Sequence, residues 1–174
     1  MSNHNVPKVN TDKAESDLEK VQIWLNTARD STGELKAGDW MEKLLPHIKL
    51  ESANSAQPHP KVVFSYTCKS EHCNRLQNLH GGAAATLFDF CTSMAIVLVS
   101  RPGFWQYVGV SRTLNVTYLR PVPIDAETLI ECEILQIGKK ICALKGVLRR
   151  KSDGQLLAVC EHNKVNIDPE ESKL

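Results

Sequence analysis

The stretch AAATLFDFCTSMAI (residues 83–96) decides the fold of this chain, because it is apolar on nearly every side. Its length and pattern predict a buried α-helix over residues 83–99, which Pro102 and Gly103 end. Asp89 and several small polar residues interrupt the apolar run. The stretch therefore predicts the central helix of a globular domain, and no segment is expected to cross a bilayer.

Segments of strand length lie on both sides of this helix. Residues 47–52 and 61–68 flank a turn-rich break at residues 57–60 (QPHP), which predicts a hairpin. Four further strands are expected after the helix, at residues 108–119, 128–136, 141–151 and 155–167. The last three are joined by short turns, so they become antiparallel neighbours. The expected class is α+β, with one antiparallel sheet wrapped around one long central helix.

The N-terminal part of the chain reads as a helical extension. Its first eleven residues are polar and without pattern, and we expect them to be mobile. A helical pattern then runs from Thr11 or Asp12 to about Ser31, and a second short helix is expected over 39–45, before Pro46. Whether this extension is a lid or a packing arm stays open. The chain thus divides into an N-terminal helical extension (1–45), a main domain (46–167) and a C-terminal tail (168–174).

Charge and cysteine content exclude several classes of protein. The chain has 174 residues, with 21 Lys and Arg against 20 Asp and Glu, so nothing in its net charge favours nucleic acid or an anionic membrane as a partner. Six cysteines are dispersed through expected strands and one helix, as is typical of reduced, buried thiols. His72 beside Cys73 lacks a second pair of ligands nearby, so no metal site is expected.

Asp89 is the chemically informative residue of the central helix. A carboxylate among apolar residues is costly unless it is paired, hydrogen-bonded or protonated. One interpretation is purely structural, with the carboxylate satisfied by a hydroxyl such as Thr86 or Ser93. The other is an acid–base role in catalysis.

The residues just before the helix favour the catalytic interpretation. Leu79-His80-Gly81-Gly82 lies at the helix start, where free N–H groups and the helix dipole can polarise a carbonyl oxygen. The glycines could instead only form a turn, and His80 could only cap the helix. Nine residues at about 100° each put Asp89 on nearly the opposite helical face from His80. A site that uses both therefore implies a contribution from two protomers.

Together these segments resemble one family, the hotdog-fold acyl-CoA thioesterases of the PaaI-like branch of the 4-hydroxybenzoyl-CoA thioesterase superfamily. The resemblance covers about residues 46–166. It rests on the order and spacing of five features: Asn74 six residues before His80, the helix-start glycines, Ala85-Thr86-Leu87-Phe88-Asp89, Gly109-Val110-Ser111, and Asn115-Val116-Thr117-Tyr118 leading to Arg120-Pro121.

This resemblance implies hydrolysis of a fatty or aromatic acyl-CoA to the free acid and CoA, without a cofactor. Asp89 is then the general base or nucleophile, and Ser111 helps to orient the attacking water. From the neighbouring protomer, Asn74 and the N–H of Gly81 or Gly82 polarise the thioester carbonyl, and His80 supports that loop. The family also implies dimers joined sheet edge to sheet edge, and a homotetramer built from two dimers.

Two further points follow from the resemblance. Arg120, Lys139, Lys140 and the segment 162–164 match places where such enzymes present basic groups to CoA phosphates. Strand alternation puts Ser111 opposite the larger apolar set of its strand. Its approach to Asp89 therefore requires either that the odd-numbered face lines the helix or that a local bulge is present.

Three alternatives remain at this stage. A hotdog hydratase is disfavoured because the Asp-x-Asn-x-x-His pattern of those enzymes is missing. A non-catalytic acyl-CoA binding protein of the same fold is disfavoured by the cost of keeping Asp89. A cysteine enzyme using Cys91 or Cys73 lacks a histidine partner in the sequence.

The chain ends in Ser172-Lys173-Leu174, the tripeptide that the peroxisomal import receptor reads at a free C-terminus. It follows a polar acidic stretch, from Asp168, that is expected to stay exposed. We therefore expect a peroxisomal location, and the alternative is an accidental tail on a cytoplasmic protein.

Overall fold

A computed structural model describes residues 9, 11 and 13–169 of the chain. The expected import tripeptide and most of the N-terminal segment expected to be mobile lie outside these residues. The described part forms two α-helices and six strands: α1 Asp17–Asn26, β1 Ile48–Asn54, β2 Lys61–Thr67, α2 Gly81–Val97, β3 Val110–Tyr118, β4 Glu127–Ile137, β5 Ile141–Arg150 and β6 Leu156–Val165. The strands make one sheet in the order β1-β2-β4-β5-β6-β3, and all neighbours are antiparallel.

The α+β prediction is confirmed, since α2 packs on this sheet and supplies much of the core. The buried face of α2 includes Leu87, Phe88 and Cys91, and it meets buried residues of the central strands. Gly146 on β5 allows this close packing, because a Cβ atom there would lie 2.6 Å from the ring of Phe88. Within the described residues, no helix is long and apolar enough to span a membrane.

Strand β3 lies at one edge of the sheet and carries a bulge. Ser111 pairs with Lys164 and Thr113 with Asn163, so Arg112 is the extra residue. Because of this bulge, Ser111 and the even-numbered Leu114 can share one face of the sheet. Of the two conditions that the strand alternation set for Ser111, the local bulge is therefore the one that is met.

Gly109 leads the chain into β3 at a positive φ of 65°. A Cβ atom at this position would collide with the carbonyl oxygen of Val165 and with the Trp105 ring. Only glycine fits this backbone without strain. Gly109 thereby fixes where β3 begins, two residues before Ser111.

The N-terminal extension differs from expectation in two ways. Helix α1 begins at Asp17 because the Ser16 side chain accepts from the Glu19 N–H, and it ends at Asn26. The short helix expected over 39–45 is wrong: this segment consists of turns, and a single 3₁₀ turn follows at Leu45–His47. Pro46 has no N–H to continue an α-helix, and β1 starts at once.

Helix α1 packs against the body of the protein. Val21 is fully buried in the common core, and the Lys20 ammonium donates to the Ser100 carbonyl beyond the end of α2 (2.8 Å). Helix α1 of the extension therefore packs as an arm on the main domain. At the other end of the chain, the Asp168 carboxylate accepts from the N–H groups of Gln106 and Tyr107 (3.0 and 3.3 Å), so this residue is held rather than free.

Candidate active site

Asp89 lies on the open side of α2, and its side chain is 48% exposed in the single chain. The premise that this carboxylate is buried was therefore wrong. The Ser111 hydroxyl donates to its Oδ1 at 2.5 Å, and His162 Nε2 lies 3.3 Å from the same oxygen. The structural interpretation through Thr86 or Ser93 is also wrong, because these hydroxyls donate to the carbonyls of Gly82 and Asp89.

His162 is fully buried on β6 and connects Asp89 to the core. Its Nε2 lies 3.0 Å from Ser111 Oγ and its Nδ1 lies 2.7 Å from Thr92 Oγ1. Ser111 donates to Asp89, so its oxygen can accept from Nε2–H, whereas the single hydroxyl proton of Thr92 is donated to the Phe88 carbonyl at 2.6 Å. The result is a connected network of polar contacts, from Thr92 through His162 and Ser111, that ends on the Asp89 carboxylate.

The protonation of His162 follows from its surroundings. Burial and, to a smaller extent, the nearby Lys164 charge lower its pKa to about 4, although Asp89 acts in the opposite direction. His162 is therefore neutral at pH 7.

Lys164 is buried two residues further along the same face of β6. Its ammonium donates to Ser93 Oγ at 2.6 Å. Burial lowers the pKa of Lys164, whereas Asp89 and Cys142 oppose this change. The expectation that segment 162–164 faces CoA phosphates is wrong for His162 and Lys164, because both side chains point inward. The signal that could have shown this is their spacing. His162 and Lys164 lie two and four residues after the buried Cys160, so they share its face of the strand.

The start of α2 is arranged differently. His80 is exposed and caps the helix, since its Nδ1 accepts from the Gly82 N–H at 2.9 Å. The Tyr118 hydroxyl donates to the Gly81 carbonyl at 2.8 Å. Among the described residues, the Gly81 N–H has no acceptor. Of the two glycines, only Gly81 therefore offers a free donor.

Asn74 belongs to the loop before this helix start. Its Oδ1 accepts from the N–H groups of Leu76 (2.9 Å) and Asn78 (3.3 Å), which fixes the side chain. Its Nδ2 donates to no acceptor within the described part of the chain. Asn74, Gly81 and Arg120 line one open groove of about 400 Å³ whose remaining walls include Leu79, Ala84, Tyr118, Val122, Leu148 and Ala158.

The expected site residues thus fall into two groups, one at the middle of α2 and one at its start. Asp89 and Ser111 form the first group, and Asn74, His80 and Gly81 form the second. Asp89 lies eight positions after Gly81, about 12 Å along the helix axis. Asp89 does not line the groove, so a single chain does not bring the two groups together.

The basic residues expected at CoA are also separated. Arg120 follows the Tyr118 end of β3, where its guanidinium donates to the Leu156 carbonyl. Lys139 and Lys140 lie in the turn before β5. The first residue of β5 is level with Val110, which is at the other end of β3. The length of β3 between these ends is about 30 Å.

The cysteine alternative is not supported by the geometry. Cys91 is buried, and burial raises the pKa of its thiol, which keeps it protonated. The Cys73 thiol donates to the Lys69 carbonyl at 3.3 Å.

One cluster of possible metal ligands consists of His47, Glu71 and His72. The sequence did not predict that the first two would join His72. However, His72 Nε2 is 2.9 Å from the Lys43 carbonyl, and Nδ1 is 2.7 Å from the Tyr66 hydroxyl. Since a neutral imidazole has one donor and one acceptor nitrogen, both are already used. The donor set therefore does not fit a metal ion.

Comparisons with known proteins agree with this fold. The family model described as "Thioesterase superfamily" matches residues 76–157. Acyl-coenzyme A thioesterase 13 of Mus musculus is 36% identical over 110 residues, covering 63% of this chain and 75% of the mouse protein. The human protein of the same name is 32% identical over 123 residues, which are 71% of this chain and 82% of that protein.

A solved structure gives the same result. The crystal structure of zebra fish thioesterase superfamily member 2 has a TM-score of 0.64 and 32% identity, covering 75% of this chain and 88% of that chain. With the antiparallel sheet, its central helix and the grouped polar residues already described, these similarities lead to one conclusion. This chain belongs to the thioesterase superfamily and is a thioester hydrolase with the hotdog fold.

Proposed function

We propose that the protein hydrolyses a fatty or aromatic acyl-CoA to the free acid and CoA, at a site shared by two copies of the chain. One observation carries this proposal: a carboxylate held by Ser111 lies about 12 Å along α2 from a free N–H at Gly81. A base and an oxyanion donor that far apart cannot act on one carbonyl within one chain. They can do so across a two-fold axis.

The exposed edge of β3 supports such an axis. Two copies of β3 that pair antiparallel about Leu114, the middle of the strand, place Ser111 of one copy opposite Thr117 of the other. Asp89 is bonded at the Ser111 end of the strand, and Gly81 at the Tyr118 end. This pairing therefore brings Asp89 of one copy towards Gly81 of the other.

In the proposed reaction, Asp89 takes a proton from a water molecule whose oxygen attacks the thioester carbon. Ser111 holds the carboxylate, and His162 positions Ser111. The Gly81 N–H and the Asn74 amide of the other copy donate to the carbonyl oxygen as negative charge develops on it. The carbon–sulfur bond then breaks, and the CoA thiolate leaves and takes up a proton.

His80 supports this loop through its cap on the Gly82 N–H, so that of the two glycines only Gly81 keeps a free N–H for the substrate. The same two-fold pairing places Arg120 of one copy near Lys139 and Lys140 of the other. We propose that these residues face the CoA phosphates. We also propose a homotetramer, with two edge-joined dimers as its units.

The first test is thiol release from a panel of acyl-CoA and aryl-CoA esters. We expect turnover, and tight binding without thiol release would instead favour a non-catalytic acyl-CoA binding protein.

The shared site has its own test by complementation. Asp89→Asn and Gly81→Pro variants are each expected to be nearly inactive. When they are co-expressed, half of the dimers contain one of each, and each such dimer keeps one intact site. Activity should therefore return to about a quarter of the wild-type value. No recovery, with mixed dimers demonstrated by two affinity tags, would refute the shared site.

We further propose that Ser172-Lys173-Leu174 directs the protein to the peroxisome. A fluorescent protein fused to the N-terminus, with Leu174 free, should appear in punctate organelles that contain a peroxisomal marker. The control adds two residues after Leu174 and should stay diffuse. A diffuse signal from both the fusion protein and its control would favour the cytoplasm as the location.

A further inference from the structure

Trp40, in the turns before β1, combines high exposure with a fixed position. The residue is 83% exposed, more than any other large apolar residue that the structure describes. Its indole N–H nevertheless donates to Thr86 Oγ1 on α2 at 3.2 Å. Since the polar atom of the ring is already satisfied, what remains on offer to a ligand is the apolar surface of the indole.

The neighbours of Trp40 hold it in this place. The Met41 N–H donates to the Asp39 carboxylate at 2.7 Å, and the Met41 side chain is buried in the core. The Gly38 N–H donates to the Glu42 carboxylate at 2.9 Å. The exposed ring therefore projects from a turn that is fastened on both sides.

Trp40 contacts the helix on the side that faces the proposed reaction. Thr86 lies one turn after Gly82, whose carbonyl accepts from the Thr86 hydroxyl at 3.0 Å. Around the helix, Thr86 is about 60° from Asp89 but about 200° from Ala84. Because Ala84 lines the groove that holds Arg120, Trp40 lies on the opposite side of α2 from that groove.

We infer that Trp40 is a specificity-determining residue, whose indole forms one wall for the distal part of an aliphatic acyl group. This inference rests on the proposed thioesterase function. Because Arg120 lines the groove, the CoA portion of the substrate extends from the thioester carbonyl into the groove. The acyl group then extends towards the opposite side of α2. Thr86 is five residues from Gly81, about 7 Å along the helix axis, the length of roughly six methylene groups. The indole is therefore reached by medium-chain and long-chain acyl groups and not by short ones.

The test compares kcat/KM for butyryl-CoA and decanoyl-CoA in the wild type, Trp40→Ala and Trp40→Phe. We expect the ratio of decanoyl to butyryl activity to fall about five- to tenfold in Trp40→Ala, because apolar contact with the chain is lost. Trp40→Phe should retain most of the ratio. Leu135→Ala is the matched control, since Leu135 is an exposed apolar residue on β4, and it should not change the ratio.

Two results would overturn the inference. The first is that Trp40→Ala changes kcat/KM equally for butyryl-CoA and decanoyl-CoA. The second is that Trp40→Ala dissociates the assembly in sedimentation velocity, which would assign Trp40 to a subunit interface. A binding measurement separates this inference from the proposed function. S-decyl-CoA, which cannot be hydrolysed, should change the fluorescence of the wild type but not of Trp40→Phe, and S-ethyl-CoA should change neither. Equal responses of both proteins to S-decyl-CoA would refute a contact with Trp40, whether or not any ester is hydrolysed.

Discussion

The start and the middle of α2 carry polar groups of opposite character. At the start, the Gly81 N–H and the Asn74 Nδ2 have no acceptor in the described part of the chain. In the middle, Asp89 ends a network of polar contacts that runs back through Ser111 and His162 to Thr92 in the core. The groups at the start of α2 can thus donate to an oxygen atom that the chain itself does not supply. The carboxylate of Asp89, in contrast, is already held in one orientation by the protein. This difference supports the proposal that the first region binds the carbonyl oxygen and that the second transfers the proton.

The largest effect on activity is expected when Asp89, in the middle of α2, loses its charge. Asp89→Asn keeps the shape and can still accept from Ser111, but it removes the base, so kcat should fall about thousandfold. Thiol release and circular dichroism measure the activity and the fold. Glu161→Gln is the matched control, because it removes an exposed carboxylate next to His162 on β6. Near-normal turnover in Asp89→Asn would remove Asp89 from the mechanism.

The next effect tests the open region. Gly81→Pro deletes only the free N–H, since proline is well tolerated at the first helical position and His80 already has the extended backbone (φ −62°, ψ 136°) that precedes proline. We expect kcat to fall about a hundredfold. Gly81→Ala is the control, because it keeps the N–H and places its Cβ at 3.5 Å from Tyr118, an ordinary contact. Equal activity of the two variants would contradict the oxyanion role.

A smaller effect on activity is expected when Asp89 and Ser111 lose their contact with His162. His162→Asn should lower kcat about tenfold while KM changes little, because His162 positions Ser111 and does not touch the substrate. Restored kcat in His162→Gln, whose amide can reach Ser111, would distinguish this positioning role from a general loss of packing. A fall in KM equal to that in kcat would count against it.

The same histidine predicts a pH dependence of stability. Its folded-state pKa of about 4 lies below the value of 6.5 for an exposed histidine, so the unfolded chain binds the proton more readily. The stability present above pH 6.5 is then lost as the pH falls to 4, by roughly 3 kcal/mol. Urea unfolding at pH 7 and pH 4 should show this loss in the wild type and a smaller one in His162→Asn.

The smallest effect sharpens the comparison at the two ends of β3. Arg120→Gln and Lys139→Gln should each raise KM about threefold and leave kcat unchanged, because exposed charges act weakly on CoA phosphates. The difference should shrink in high salt. Lys49→Gln, on the far edge strand β1, is the control. An unchanged KM in both variants would show that CoA is held elsewhere.

Much of the fold could be predicted because its signals are local. The long apolar run and the alternating segments gave the strands and α2 to within about three residues. The turns around Trp40 were mistaken for a helix because their residues have helical spacing, whereas the hydrogen bonds of Asp39 and Glu42 side chains close separate turns.

The site was predictable only in part. Asp89, Ser111 and the helix-start residues stand in recognisable patterns, and the bulge at Arg112 was inferred as one of two conditions. The roles of His162 and Lys164 depend on contacts between β6 and α2, some 70 residues apart in sequence. Their shared parity with Cys160 indicates the side of β6 that they take, but no local pattern shows which residues of α2 they contact.

Gly146 affects the site through spacing, unlike the residues around Asp89, which act through contact. The hydrogen atom it carries in place of a methyl group leaves room for Phe88 and Thr92, the residue before Asp89 and the residue that bonds His162. The distance between the helix and the sheet therefore decides whether Thr92 can contact His162. In a mutational scan scored by activity alone, position 146 would look as intolerant as the base itself, although it touches no substrate. Only a parallel scan for abundance would separate a spacer of the scaffold from a participant in the chemistry.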